Sequence, residues 1–367
     1  MIPGPPTVTM LAPNDLHVHL RDQSMMEAVL PFSTQQFDHI LPMPNTDPKL
    51  TTADQCLRYR YQLLQASRIL QPEQVLMTLY LTDETTPQMI HDAARAGVRA
   101  VKYYPHGGTT RSGSGLRTPH DIMPATLQAI EDFGLVLCLH AEVTEDEQPE
   151  LLLREKDFIP YLDWLVENFP NLKIVVEHVS DRHMLVHVLA LRLDRVGASI
   201  TVHHPFTTYQ MAIKDPHCWC MPVAKTPKDA QCLREYILLA KQFPQIWFGS
   251  DSAPHLGTTK LGDSPAFGAW TSPVAVPVLW DYFYRHKGVV LDSAISAFES
   301  FMTRNGANFF GLPINDDRTI TLRFEEWSVP EEFKGIIPWR AGKKLHWRVD
   351  GMSWFGAPDP LPVQKCH

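Results

Sequence analysis

The stretch Asp15-Leu-His-Val-His-Leu-Arg-Asp22 (DLHVHLRD, residues 15–22) alternates apolar and polar residues. In a strand successive side chains point to opposite faces, so Leu16, Val18 and Leu20 share one face and His17 and His19 share the other. Two imidazoles projecting the same way a few ångströms apart either meet a metal or form a costly polar island. Seven further short, apolar, β-branched runs follow at fairly even intervals: 38–43, 75–81, 98–103, 135–141, 173–178, 197–203 and 246–251. Between most of them lie stretches of helical period. TTADQCLRYRYQLLQASRIL (51–70) opens on Thr/Asp cap chemistry, and TPQMIHDAARAG (86–97) runs from Thr-Pro to a Gly stop. Similar patterns occupy 119–133, 157–169, 181–195, 228–243 and 291–304.

Strands alternating with helices imply a parallel sheet, and eight such units in about 250 residues is the size of a (β/α)8 TIM-type barrel. An open doubly wound sheet is the rival, but no GxGxxG phosphate loop is present to support it. Residues 1–312 are expected to form the barrel and 313–367 a C-terminal extension packed on it, with a hairpin around Arg340-Ala341-Gly342-Lys343. The segment 105–118, PHGGTTRSGSGLRT, reads as a mobile surface loop, and 256–273 as a second long loop.

Composition narrows the function. The chain has 367 residues, 44% hydrophobic and 20% charged, as in a soluble globular protein. A net charge of −8 with dispersed Lys and Arg argues against a nucleic-acid or anionic-membrane surface. No apolar run reaches membrane-spanning length, and MIPGPPTVTML lacks the basic start of a signal peptide, which suits a cytoplasmic protein. The six cysteines (56, 138, 218, 220, 232 and 366) are scattered, as expected of reduced thiols, and Cys218-x-Cys220 without a second such pair reads as strand filler.

In a barrel, polar residues at the C-terminal strand ends face the active site. Here those ends carry His17 and His19, Lys102, His140, His178 and Asp251. A lone strand-end histidine is more often a hydrogen-bonded structural residue, and Asp251 before Ser252 could simply cap a turn. Six such groups from five strands at one end of one barrel are not explained that way. Imidazoles and a carboxylate suit Zn²⁺ or another first-row divalent metal. Four histidines and an aspartate exceed the needs of one tetrahedral zinc that keeps a water position, whereas two metals with a bridging hydroxide accommodate them. Beside two dications Lys102 must be displaced, neutral or converted to an anion.

The motifs DLHVHLRD, MPNTDP (43–48), VKYYPHGGTT (101–110), LHAE (139–142), EHVS (177–180), KTP (225–227) and GSDSAPH (249–255) together resemble the amidohydrolase superfamily. Within it the chain resembles the shorter, monofunctional dihydroorotases of bacteria and fungi, over nearly its whole length. The resemblance implies two Zn²⁺ per subunit, bridged by a carboxylated Lys102 and a hydroxide. His17 and His19 would bind one zinc, His140 and His178 the other, and Asp251 would ligate the first while shuttling the proton. Arg21, Asn45 and His255 would hold a substrate carboxylate, Thr109 and Thr110 would sit on a closing loop, and Met221 would supply a backbone contact. Asp22 is expected to fix the arginine or the turn. The implied function is the reversible interconversion of N-carbamoyl-L-aspartate and L-dihydroorotate in pyrimidine biosynthesis by a homodimer. Residues 256–272 depart from the family pattern. The alternatives are another cyclic amidase (dihydropyrimidinase, hydantoinase or allantoinase), or a catalytically dead homologue serving as a scaffold.

Overall fold

The computed structural model describes residues 7–287 and 290–350. Among these residues the chain runs β1 (Thr7–Leu11), β2 (Asp15–Val18), β3 (Ile40–Pro42), β4 (Met77–Tyr80), β5 (Val98–Tyr103), β6 (Val136–Leu139), β7 (Lys173–Val176), β8 (Val196–Ile200), β9 (Ile246–Phe248), β10 (Thr319–Ser328) and β11 (Lys344–Val349), with helices between most of them. Strands β4 to β9 form a parallel six-stranded sheet in sequence order, and β2 pairs parallel with β3. Short contacts join the two into one barrel. Leu76 N donates to Ile40 O at 2.9 Å, and on the other side Asp251 N donates to His17 O at 2.8 Å and His19 N to Ser252 O at 3.0 Å. The result is the expected (β/α)8 barrel, and each of the eight apolar runs supplies one strand.

The strands are shorter than those runs because their C-terminal ends peel away from the sheet. His140, His178 and Asp251 lie just beyond β6, β7 and β9, and His178 (φ 42°) and Asp251 (φ 43°) adopt left-handed backbone there. For residues with a β-carbon that conformation is strained and must be held by the surroundings.

Most helices begin where their cap chemistry placed them. Thr52 and Gln55 form a reciprocal capping box on the helix Ala53–Ala66, and Thr226 with Asp229 does the same for Pro227–Leu238. The helices Gln23–Thr34 and Ala275–Lys287 were not legible in the sequence. Each contains a proline that argues against helix when read locally, although only Pro31, inside its helix, removes a needed donor, while Pro277 lies in a first turn. Tertiary burial overrides that penalty: Met26, Val29, Leu30 and Phe32 all face the core.

β1, β10 and β11 make a separate antiparallel sheet, with Val8 opposite Leu322 and Leu322 opposite Val349. β1 was not read as a strand, and β10 recruits it by pairing all five of its residues. The expected hairpin is wider than a tight turn. Residues 340–343 only lead into β11, with Gly342 N donating to Val329 O at 2.9 Å, and 329–343 is an excursion closed by that contact. Trp347 of β11 packs edge-on against Trp280, 5.8 Å between ring centroids, which ties this sheet to the helix Ala275–Lys287. Residues 351–367 of the expected extension, and Cys366 with them, lie outside the described residues.

The floor of the barrel is a packed apolar layer of Leu16, Leu41, Ala100, Val136, Val175 and Trp247, closed from below by Phe309 and Phe310. Trp247 fits because Gly197 has no side chain; a Cβ there would come within 2.3 Å of the indole ring. This floor lets the opposite end hold polar groups without a continuous water channel. Trp247→Ala should leave a cavity costing about 3–5 kcal/mol, read as a lowered urea midpoint.

Candidate active site

Asp15, the first residue of the opening motif, anchors the site. Its buried carboxylate accepts from Ser250 N at 2.8 Å and from His17 N at 3.4 Å, pinning β2 to the segment that delivers Asp251. His17 and His19 then project as expected, with ring centroids 5.5 Å apart. His178 stands 4.9 Å from His17 and 4.7 Å from His140, so the four imidazoles form one cluster.

Carboxylates behind the rings set their orientation. Glu177 Oε2 lies 2.9 Å from His17 Nδ1, and Glu142 Oε2 lies 2.9 Å from His140 Nε2. Burial alone would push both carboxyls up. Lys225 and His140 offset this for Glu142, and His17 and Lys102 do so for Glu177, so each is held below the ordinary glutamate value. These two acids lie inside LHAE and EHVS, and the sequence reading assigned them no role. The signal was their position one or two residues from a strand-end histidine.

The geometry around His19 is more specific. Asn45 Nδ2 donates to Thr110 O at 3.1 Å, which turns Asn45 Oδ1 toward His19 Nδ1 at 2.8 Å. His19 Nδ1 is therefore the protonated nitrogen, and burial pushes this imidazole down to about 4, so the ring is neutral at pH 7. Its bare Nε2 faces Asp251 Oδ1 at 3.0 Å. The same oxygen lies 3.4 Å from His17 Nε2. Asp251 is held well below the ordinary aspartate range despite its burial by the His17 and His19 rings that stand against it. Lone pairs facing a carboxylate call for a cation between them, and this donor set suits a zinc-class ion.

Lys102, on β5, is fully buried and its Nζ has no hydrogen-bond partner among the described residues. Burial pushes its amine down to about 8. His178 Nδ1 is likewise buried and unpartnered. Orphaned polar atoms of this kind are rare in folded proteins, and here they converge on the imidazole cluster.

His17, His19, Arg21, Asn45, Thr109, Thr110, His140, His178, Met221 and Asp251 line one narrow recess. Lys102 is not part of the lining, but its Nζ lies 5.0 Å from the ring centroid of Tyr104, which is. His255 sits behind the wall, where its Nε2 is 2.9 Å from Arg21 Nη2. Burial and the neighbouring Arg21 push His255 down to about 2, so it is neutral and accepts from the guanidinium. Arg21 Nε donates to Pro254 O at 3.0 Å, which fixes the fork. Tyr104, Ala253, Phe267 and Gly268 also line the recess and were not identified from sequence. Gly268 (φ 153°) requires glycine, since a Cβ would meet Ala253 O at 2.5 Å.

The segment 105–118 is docked over this recess. Thr110 Oγ1 donates to Phe267 O at 3.1 Å, and Arg111 pairs with Asp22 at 2.9 Å. Asp22 thus fixes Arg111 of the loop and not Arg21, and it also accepts from Asp47 N at 3.1 Å. Cys218 and Cys220 are not in a strand; Cys218 ends the short turn Pro216–Cys218 and Cys220 follows in a loop.

A parallel eight-stranded barrel with histidines, an aspartate and a buried lysine at its C-terminal strand ends defines a metal-dependent amidohydrolase. No family model matches the sequence. A probable dihydroorotase of Schizosaccharomyces pombe is 35% identical over 343 residues, 93% of this chain and 97% of that protein. The dihydroorotase of Teredinibacter turnerae is 37% identical over 351 residues, 94% of this chain and 98% of that one. The solved Saccharomyces cerevisiae dihydroorotase, in complex with 5-fluoroorotic acid, matches with a TM-score of 0.82 at 30% identity, covering 94% of this chain and 98% of its own. The chain belongs to the dihydroorotase family, the cyclic-amide hydrolases of pyrimidine biosynthesis.

Among the described residues no helix is long and apolar enough to cross a membrane. Asp22→Ala should loosen the docked loop. Because the Asp22–Arg111 pair is partly exposed, amide exchange at 109–112 should rise only roughly two- to fivefold, measured by hydrogen–deuterium exchange.

Proposed function

We propose that this chain interconverts N-carbamoyl-L-aspartate and L-dihydroorotate at two zinc ions held by His17, His19, His140, His178 and Asp251 and bridged by Lys102 as its carbamate. The observation that carries this is Lys102, a buried amine with no hydrogen-bond partner among the described residues, next to a cluster of four imidazoles. A lysine lowered to about 8 is partly neutral at pH 7 and can add to carbon dioxide. The nitrogen bonds to the carbon, a proton leaves, and the anion so formed suits a site where an ammonium would be repelled. Metals bound here would supply an acidified water and polarise the ring carbonyl.

The rest falls to the chain's own side chains. Asp251, ionised and aimed by His17 and His19, accepts a proton as water attacks the ring carbonyl and returns it to the departing ring nitrogen. Arg21 has Nε and one Nη2 position engaged, which leaves its Nη1 end for the exocyclic carboxylate of the substrate. Asn45 supports His19 while reaching the closing loop through Thr110. Thr109 and Thr110, docked against Phe267, exclude bulk water. Ring closure uses the same groups in reverse. The family resemblance also implies a cytoplasmic homodimer, for which sedimentation equilibrium is the check on assembly.

The intact protein should be heavier by one carbon dioxide under gentle mass spectrometry, and acid should remove that mass. Lys102→Ala should lose metal and turnover, with partial rescue by short carboxylic acids; an unmodified mass with full zinc occupancy would overturn the bridge.

The competing cyclic amidases act on rings without a carboxylate, so Arg21 discriminates. Arg21→Met should lower kcat/KM for dihydroorotate roughly 10²-fold or more while affecting slow turnover of dihydrouracil far less. An equal fall on both would assign Arg21 to the metal centre or the fold and reopen the dihydropyrimidinase alternative.

A further inference from the structure

Beyond β8 the chain reads Thr201-Val-His-His-Pro205, and its two histidines turn inward beside Cys220. All three side chains are buried. One ligand atom from each lies within 4.8 Å of the other two. Cys220 Sγ is 3.5 Å from His204 Nε2, and the two imidazole centroids are 4.3 Å apart. The Pro222 carbonyl accepts from His204 Nε2–H at 3.0 Å and from the Cys220 thiol at 3.2 Å, so an oxygen stands at the same spot and both donors must give up that proton to act as ligands.

None of these groups enters the chemistry proposed above, and none lines the recess. His203 is unusual in its own right: both ring nitrogens are buried with no hydrogen-bond partner among the described residues. A neutral imidazole carries one donor and one acceptor, and leaving both unmet inside a protein is expensive. Burial keeps His203 well below its ordinary value, so it is a neutral ring whose acceptor nitrogen is available as a ligand. His204 Nδ1 sits 3.0 Å from Thr201 Oγ1, which orients the ring and can accept from Nδ1–H once a cation displaces the proton from Nε2.

We propose that His203, His204 and Cys220 form a separate, thiolate-containing site for a zinc-class divalent cation. Two imidazoles and a thiolate suit such an ion, with the Pro222 carbonyl within reach as a fourth donor. Burial pushes the Cys220 thiol well up, so it is a protonated spectator until a cation arrives. Binding forms the metal–sulfur bond and releases the thiol proton to solvent, which makes occupancy rise with pH. The site also has a reason to matter. Met221, between Cys220 and Pro222, lines the substrate recess, so a cation gripping both neighbours clamps that part of the wall.

The test uses the metal-depleted full-length chain titrated with Co²⁺. Cys138 stands beside Glu177 and Lys102 of the other centre, so a sulfur-to-cobalt charge-transfer band in the near ultraviolet is assigned to this site by its dependence on Cys220. The wild type should show the band, and Cys220→Ser should lose it together with one bound cobalt per chain. His203→Gln should keep the band's position but need at least about tenfold more cobalt to reach it. Absence of the band in cobalt-saturated wild type, its persistence in Cys220→Ser, or unchanged cobalt affinity in His203→Gln would each overturn the site. Ligand-field bands without sulfur character that survive in both variants belong to the other centre, so failure here is distinguishable from failure of the two-zinc reading.

Discussion

A lysine amine buried without a hydrogen-bond partner among the described residues is the constraint around which this barrel is arranged. Lys102 projects from β5 into a space already occupied by four imidazoles and the Asp251 carboxylate. Burying that many ionisable groups is tolerable only if their charges are set relative to one another. The lysine and His19 are pushed toward neutrality by burial, and Asp251 and Glu177 are held ionised by the imidazoles beside them. An unbalanced cluster of this size would open to water. The apolar floor under it, built on Trp247 and the Phe309/Phe310 pair, keeps water from entering from below.

Around the imidazoles runs a second ring of groups that act only through them. Glu177 fixes His17 and accepts from Ser199, whose hydroxyl also receives the amide of His178. Glu142 fixes His140 and is itself neutralised by Lys225, which reaches toward Glu155, and Glu155 accepts from the amides of Ser180 and Asp181. The strained backbone at His178 is thus gripped on both sides by carboxylate and hydroxyl acceptors. A rigid frame of this kind holds a constellation within the tolerance that metal-assisted chemistry needs.

The mouth of the site depends on two loops that hold each other. Segment 105–118 rests on Phe267 through Thr110 and on Asp22 through Arg111. The 256–273 loop is in turn clamped by Lys260, whose Nζ donates to the carbonyls of Trp219 and Gly268. Wall, lid and the segment carrying Met221 therefore share one set of hydrogen bonds. This arrangement ties segment 105–118 to the wall of the recess.

The alternation in residues 15–22 and the recurrence of apolar runs determined the barrel, because strand period and helix caps are local properties of the chain. The same logic located His17, His19, Lys102, His140, His178 and Asp251, since strand ends of a barrel converge whatever lies between them. Prolines hid two helices and an edge strand needed its distant partner, so local reading missed them. Only the tertiary structure decided that His255 stands against Arg21, that Asp22 holds Arg111, and that Glu142 and Glu177 orient the rings. It alone brought Cys220 to His203 and His204, which a sequence reading of Cys218-x-Cys220 had set aside. In each case the reason is the same. A hydrogen bond or a ligand set is fixed by distances of about 3 Å between residues far apart in sequence, and those distances exist only once the core has packed.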